Sequence, residues 1–318
     1  MAKKIGITLG DPGGIGPEIV LKTLRHLQSS QTTTITPIIF GSESVLNHPK
    51  LKILRDQLNS SSTLIDCYSY QQEIAIGHPN AENGKAAKQY ILSAISAIQK
   101  GEIDAIVTAP ISKKSFELAG SPYKDHTTLF ANQTKSTQVS MGFYTKTLKT
   151  ILTTIHMPLK EVPTALTKER LETALINSLK FCGLLNIKAP KIALAALNPH
   201  AGEEGLFGDE DEKILRPFVE TMRKKGYPIE GPFSADSLYW RAHQGEFDMV
   251  ISLYHDQGLI PVKLLGFGEA VNVTLGLPFI RTSPDHGTAF DIAYQNKAKP
   301  SALIHSIELA TRLLTDNE

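Results

Sequence analysis

Short runs dense in Ile, Val, Leu and Thr punctuate this chain: Ile5 to Leu9, Ile35 to Phe40, Ile103 to Thr108, Ile151 to Ile155, Lys191 to Leu197 and Met249 to Leu253. A strand with one wet face alternates apolar and polar residues; these runs are nearly continuous and read as buried strands. The stretches between them follow another period. Ala87, Tyr90, Ile91, Ala94, Ile95 and Ile98 recur at helical spacing, which puts one apolar stripe on one face. Such alternation predicts an α/β chain whose mostly parallel sheet carries helices on both faces. After Pro300, which suits a first helical turn, Leu303, Ile307, Ala310 and Leu314 form a further stripe, expected to dock on a lobe. Gln28 to Thr36 and Asn59 to Thr63 read as polar loops.

The chain has 318 residues, which suggests two domains, or one large α/β unit, at roughly 100–200 residues per domain. Its 33 Lys and Arg against 32 Asp and Glu give a net charge of +1, which offers no footprint for nucleic acid. Cys67 and Cys182 are the only cysteines, so neither a disulfide framework nor a cysteine zinc motif is available, and a cytoplasmic setting is expected. The basic start resembles a signal sequence, but the apolar stretch after it breaks at Gly10-Asp11-Pro12. No window approaches the ~18 apolar residues of a membrane span.

Gly10-Asp11-Pro12-Gly13-Gly14-Ile15-Gly16-Pro17-Glu18 lies between the first strand and a helix expected to begin near Pro17. Glycines there let backbone N–H groups approach an anion, but the pattern is neither the Walker loop nor the dinucleotide fingerprint. A plain strand-to-helix turn explains it equally well. His156, His200 and His255 each follow a predicted buried strand, and ligands of open α/β sheets bind beyond the strands' carboxyl ends. Three imidazoles meeting there would suit a catalytic divalent ion, with Asp256 beside His255 as a ligand, an outer partner or a base. Any one of them alone is an ordinary loop histidine. His126-Thr127-Thr128, Lys263, Asn272 and Arg281 form a polar and cationic set suited to phosphate or carboxylate. Solvated surface charge is the competing reading. Asp285 to Ala293 reads as a loop turning at Gly287 into a helix, able to present N–H groups and Asp291 to a cofactor or merely to cap that helix.

Together these segments resemble the 4-hydroxythreonine-4-phosphate dehydrogenase family of pyridoxal phosphate biosynthesis. The resemblance runs almost end to end through the glycine loop at 10 to 18, Thr-Ala-Pro-Ile at 108 to 111, His126-Thr127, Leu-Asn-Pro-His-Ala-Gly-Glu at 197 to 203, Tyr-His-Asp-Gln-Gly at 254 to 258, and Asn-Val-Thr-Leu-Gly-Leu-Pro-Phe-Ile-Arg-Thr-Ser at 272 to 283. It implies His156, His200 and His255 as ligands of one divalent metal (zinc, magnesium or cobalt), and His126, Thr127, Lys263, Asn272 and Arg281 as substrate contacts. NAD or NADP is the implied oxidant, and a homodimer sharing its active sites the implied assembly. The stretch from His286 to Ala293 is similar to the cofactor loop of isocitrate and isopropylmalate dehydrogenases, which implies His286, Gly287, Thr288 and Asp291 as cofactor contacts. That fold has two α/β/α lobes with the active site in the cleft. Here it implies 1–115 plus 276–318 as a cofactor-side lobe and 116–275 as a lobe carrying metal residues, substrate residues and dimer contact.

The implied reaction is metal-assisted oxidation of the C3 hydroxyl of 4-phosphooxy-L-threonine, with Asp256 or Lys263 taking the proton. Gly13 stands where the family usually has Ala, and Thr128 where Glu is expected. Since Thr128 adjoins two implied substrate contacts, a four-carbon sugar-acid phosphate such as threonate or erythronate 4-phosphate is the near alternative. A metal-dependent phosphohydrolase and a catalytically silent binding protein are rivals from other classes.

Overall fold

The computed structural model describes residues 2–30, 34–58 and 63–315. Its strands are β1 (Lys3–Thr8), β2 (Ile35–Gly41), β3 (Thr63–Asp66), β4 (Ala105–Thr108), β5 (Ser140–Tyr144), β6 (Lys149–Leu152), β7 (Ile192–Ala195), β8 (Ile229–Phe233), β9 (Met249–Ser252), β10 (Val271–Leu275) and β11 (Ile280–Pro284). The longer helices are α1 (Gly16–Ser29), α2 (Ala81–Gln99), α3 (Lys113–Leu118), α4 (His126–Thr134), α5 (Lys168–Leu184), α6 (Arg216–Lys224), α7 (Ala235–His243), α8 (His255–Gly266) and α9 (Ser301–Thr315). Each expected run holds a strand. Of the two polar segments, residues 31–33 and 59–62 lie outside the described residues, and Thr63 opens β3 instead of closing a loop.

The chain divides into two compact units, Met1–Thr137 with Leu277–Asp316, and Gln138–Gly276. In the first, the strand order is β3-β2-β1-β4-β11, parallel throughout. Ile5, Ile7 and Val107 pack there with Tyr90, Ile91 and Ala94 of α2 and with Leu303, Ile307 and Ala310 of α9, so both expected stripes face the core, with Ile98 and Leu314 partly buried against it. Asn80 caps α2 by accepting from the Glu82 and Asn83 N–H groups. Thr282 Oγ1 donates to Ser306 O at 2.8 Å and ties α9 to β11. The expected boundary at residue 115 is corrected: Phe116, Leu129 and Phe130 are fully buried in this unit's core, which draws residues 116–137 into it.

In the second unit the order is β10-β5-β6-β9-β7-β8. β6, β9, β7 and β8 run parallel, whereas β10, β5 and β6 are antiparallel neighbours. Phe143, Leu152, Ala193 and Val250 on the strands pack with Leu259 and Val262 of α8 and Leu238 of α7. The chain therefore has an α/β fold with mostly parallel strands. Among the described residues no helix is long and apolar enough to cross a membrane.

Candidate active site

In the second unit the parallel strands β6, β9 and β7 are neighbours. Chain leaving β6 reaches His156, chain leaving β9 reaches His255 at the start of α8, and chain leaving β7 reaches His200. The three histidines thus lie beyond the carboxyl ends of three adjacent strands, where an open α/β sheet places its ligands. His156 and His255 come together, ring centroids 5.5 Å apart. They line an open cavity of about 510 Å3 with Ile155, Pro158, Val162, Tyr254 and Asp256. His255 Nδ1 is 2.7 Å from Asp256 Oδ1, so the carboxylate can fix the ring tautomer and leave Nε2 as a lone-pair donor.

His200 stands differently. It opens a left-handed turn in which His200, Ala201, Gly202, Glu203 and Glu204 all have positive φ, and its ring lies 6.2 Å from that of Phe207. Among the described residues no three His, Cys, Asp or Glu side chains gather closely enough to hold one ion. The His156–His255 pair, with its carboxylate-bound ring, has the donor chemistry of a divalent-metal site. The turn is anchored upstream: buried Asp211 accepts from the Leu197 N–H at 2.8 Å and the Asn198 N–H at 3.0 Å.

Lys263 is half-buried on α8. Asn272, on β10, has a buried side-chain oxygen with no hydrogen-bond donor, an acceptor left for a ligand.

In the first unit, Arg281 of β11 is 2% exposed. Its Nη2 donates to Thr108 Oγ1 at 2.5 Å, and its guanidinium lies 5.6 Å from the centre of the Phe130 ring. His126 stacks on the same aromatic ring, with centroids 6.4 Å apart and planes tilted by 22°. Burial, and then the Arg281 charge, hold the His126 pKa well below its ordinary value, so the ring is neutral, and its Nε2 is buried without a partner. Burial opposes the Arg281 charge and Asp125 supports it. A cation held against desolvation beside an unsatisfied imidazole nitrogen is suited to an anionic ligand. Sequence reasoning does not single out Thr108 or Phe130 as functional, although Thr108 opens the Thr-Ala-Pro-Ile segment.

Thr127 is buried in the first turn of α4. Asp125 caps α4, and Thr128 completes the capping box from the third helical position. Asp125 Oδ1 accepts from the Thr128 N–H at 2.9 Å, and Thr128 Oγ1 accepts from the Asp125 N–H at 3.3 Å. This reciprocal pair closes the start of α4.

The glycine loop proves to be a packed turn. Gly13 N–H donates to Asp11 Oδ1, Gly14 N–H to Asp11 O, Asp11 N–H to Pro110 O and Ile15 N–H to Thr288 O, at 2.9 to 3.0 Å. These donors are used within the protein. A Cβ on Gly14 would stand 2.8 Å from Thr288 O, so glycine is what lets the 286–291 loop dock here. That loop does not enter a helix as expected: it makes one 3-10 turn, Phe290–Ile292, and α9 begins only at Ser301. Two positive-φ residues, Tyr294 and Asn296, interrupt any helical continuation. His286, Gly287 and Asp291 lie at or near the surface, and nothing stands within 4 Å of where a Gly287 Cβ would be.

Residues 33–310 match the family model of the pyridoxal phosphate biosynthetic protein PdxA. The chain belongs to the PdxA family. Two curated PdxA-like relatives carry different substrate names. A D-threonate 4-phosphate dehydrogenase of Pectobacterium atrosepticum is 41% identical over 98% of this chain and 100% of its own length. A 4-hydroxythreonine-4-phosphate dehydrogenase of a Sulfurihydrogenibium species is 42% identical over 98% of each. The crystal structure of a Klebsiella pneumoniae 4-hydroxythreonine-4-phosphate dehydrogenase superposes with a TM-score of 0.86 at 39% identity, covering 98% of each chain. Isocitrate dehydrogenase of Methylococcus capsulatus, at 16% identity and a TM-score of 0.52 over 99% of this chain and 86% of its own, shares the fold. These full-length dehydrogenase relatives make this chain an oxidoreductase.

Proposed function

We propose that this PdxA-family chain oxidises the C3 hydroxyl of 4-phosphooxy-L-threonine with NAD or NADP. The product, 2-amino-3-oxo-4-phosphooxybutanoate, is a β-keto acid that loses CO2 to give 3-amino-2-oxopropyl phosphate. The observation that carries this reading is the pairing of His156 with His255 in one cavity, with Asp256 on the far nitrogen of His255, in a chain of this family. His156, His255 and His200 would hold the divalent ion. Imidazole donors favour zinc or cobalt over magnesium, which prefers oxygen ligands. When bound, such an ion polarises the substrate hydroxyl and makes its proton easier to lose.

The chain's own residues do the rest. His126, Thr127, Lys263, Asn272 and Arg281 bind the phosphate and carboxylate, holding the C3 hydrogen toward the nicotinamide. Arg281, fixed by Thr108 and Phe130, offers its guanidinium in a preset direction. Asp256 or Lys263 accepts the hydroxyl proton. His286, Gly287, Thr288 and Asp291 would hold the nicotinamide cofactor. A homodimer with shared sites is part of this reading: Leu264 and Phe267, 82% and 85% exposed at the end of α8, are suited to burial against a second copy. So is a cytoplasmic location.

A second reading, oxidation of D-threonate 4-phosphate, is supported by the 41% identical relative of that name. Both compounds carry a C3 hydroxyl and a terminal phosphate and differ in the group at C2. Reduced nicotinamide formation from the two, measured side by side as kcat/KM, tests the choice: a preference of at least about tenfold for 4-phosphooxy-L-threonine supports the first reading, and the reverse preference supports the second. Phosphate release without nicotinamide reduction would support the phosphohydrolase instead.

A further inference from the structure

The glycine loop and the first turns of α1 hold the 286–298 segment at four points. Ile15 N–H donates to Thr288 O at 2.9 Å, and Tyr294 Oη donates to Pro12 O at 2.7 Å. Further along, Glu18 Oε2 accepts from the Asn296 N–H at 3.1 Å and Glu18 Oε1 from the Ala298 N–H at 2.9 Å. Lys22, one turn on, donates to Asn296 O at 3.0 Å, to Ala298 O at 2.7 Å and to Glu18 Oε1 at 2.8 Å. Two side chains of α1 thus satisfy both backbone groups of Asn296 and both of Ala298. Glu18 is 0% exposed, a place where a carboxylate stands only when paired and hydrogen bonded.

The segment does not hold this path by itself. It makes one 3-10 turn, and Ala289, Tyr294 and Asn296 have φ of 41°, 60° and 59°, a left-handed backbone that needs support from its surroundings. Its outer part is open. The N–H groups of Gly287, Thr288 and Ala289 have no partner among the described residues, a run of donors that fits the phosphates of a dinucleotide.

We propose that Glu18, paired with Lys22, is a positioning residue for cofactor binding: it fixes the inner end of this segment so that residues 286–291 stand in the form that takes the nicotinamide dinucleotide. The inference rests on the cofactor-loop reading above, and it gives the glycine motif a task other than holding an anion itself. When the binding-competent form of a loop is only partly populated, apparent affinity falls by that fraction, and saturating ligand restores the form. Loosening the segment should therefore raise the KM for the cofactor and leave kcat nearly unchanged. A merely structural role would lower stability and leave that KM alone.

The test uses the full chain carrying Glu18→Gln, which keeps the shape but takes away the charge partner of Lys22 and one acceptor of the two N–H groups. Lys22→Met, which removes the ties to both carbonyls, is the second variant. Hydrogen exchange of the cofactor-free proteins reads the segment directly: the Asn296 and Ala298 amides are expected to exchange at least about tenfold faster than in wild type. Titrations with NADH and NADPH, followed by nicotinamide fluorescence, are expected to show about five- to fiftyfold weaker binding of the one that wild type prefers, with kcat within about twofold. Ile95→Val, a truncation in the core of the same unit, is the control that lowers Tm and leaves cofactor affinity unchanged. Affinity within about twofold of wild type in Glu18→Gln, or in Lys22→Met should Glu18→Gln not fold, overturns the proposal. So does unchanged exchange at Asn296 and Ala298, and so does failure of both variants to fold, which would assign the pair to stability alone. Asp291→Ala separates the two levels: normal binding of both nucleotides there removes the cofactor-loop reading, and weakened binding there with normal binding in the Glu18 and Lys22 variants removes only the positioning role.

Discussion

Asp256 Oδ1 lies 2.7 Å from His255 Nδ1, on the side of the ring away from its free Nε2. A carboxylate there raises the imidazole's basicity and fixes its tautomer. Asp256→Asn should therefore weaken divalent-metal binding about ten- to a hundredfold. Chelator competition measures it; an unchanged affinity would show that the pair does not support a metal ligand.

Arg281 should act on the charged group of the substrate. Arg281→Lys keeps the charge but loses the fork, the bond to Thr108 and the stacking on Phe130. A charged hydrogen bond contributes about 1.5–3 kcal/mol, so kcat/KM for the phosphorylated substrate should fall about ten- to a hundredfold. Steady-state kinetics with phosphorylated and unphosphorylated substrate check this: a similar loss on both would free Arg281 from the phosphate.

The neutral His126 gives a signed pH effect. Burial and Arg281 hold its folded pKa well below the ordinary 6.5, so as pH falls through 6.5 the unfolded chain gains a proton that the folded one does not. Stability is lost in that direction. His126→Gln should show a smaller loss of urea midpoint than wild type between about pH 7 and about pH 5. Equal losses would mean that His126 does not titrate differently in the two states.

Two departures from the family pattern have local explanations. A Cβ on Gly13 would stand 2.5 Å from Ala75 O and 2.6 Å from Asn83 Nδ2, atoms that are themselves hydrogen bonded at 2.7 Å. Gly13→Ala should destabilise this chain by about 1–3 kcal/mol, seen as a lower Tm. Thr128 completes the capping box of α4 from its third position, so Thr128→Ala, which removes the acceptor for the Asp125 N–H, should cost about 0.5–1.5 kcal/mol. Thr128→Glu, which can also complete the box, should leave the preference between the two substrates within a few-fold. A larger swing would make Thr128 a specificity residue after all.

The parts of the fold legible in the sequence are those whose burial is two-sided. Ile5, Ile7, Ile151 and Val250 lie on interior strands, and their near-continuous apolar runs admit few other readings. β5, β8, β10 and β11 escape such a reading because Gly142, Pro232, Asn272 and Arg281 interrupt the apolar pattern. The histidines are legible because each follows a strong strand closely. Nothing local reveals that His200 opens a left-handed turn or that Gln257 links Leu253 to Ala196, since those depend on which strands become neighbours. The glycine loop misleads in the opposite way: its residues suit an anion, but Asp11, Pro110 and Thr288 occupy the N–H groups of Asp11, Gly13, Gly14 and Ile15.

A metal-dependent nicotinamide dehydrogenase of a phosphorylated four-carbon hydroxy acid must reduce its cofactor only when both metal and substrate are present. The most direct measurement follows nicotinamide absorbance with metal-stripped protein, NAD or NADP and 4-phosphooxy-L-threonine or D-threonate 4-phosphate, before and after adding zinc or cobalt. The expected result is no reduction before addition, rapid reduction after it with at least one substrate, and none in His255→Ala. Reduction at full rate without metal, or release of inorganic phosphate with the nicotinamide left oxidised, would contradict it.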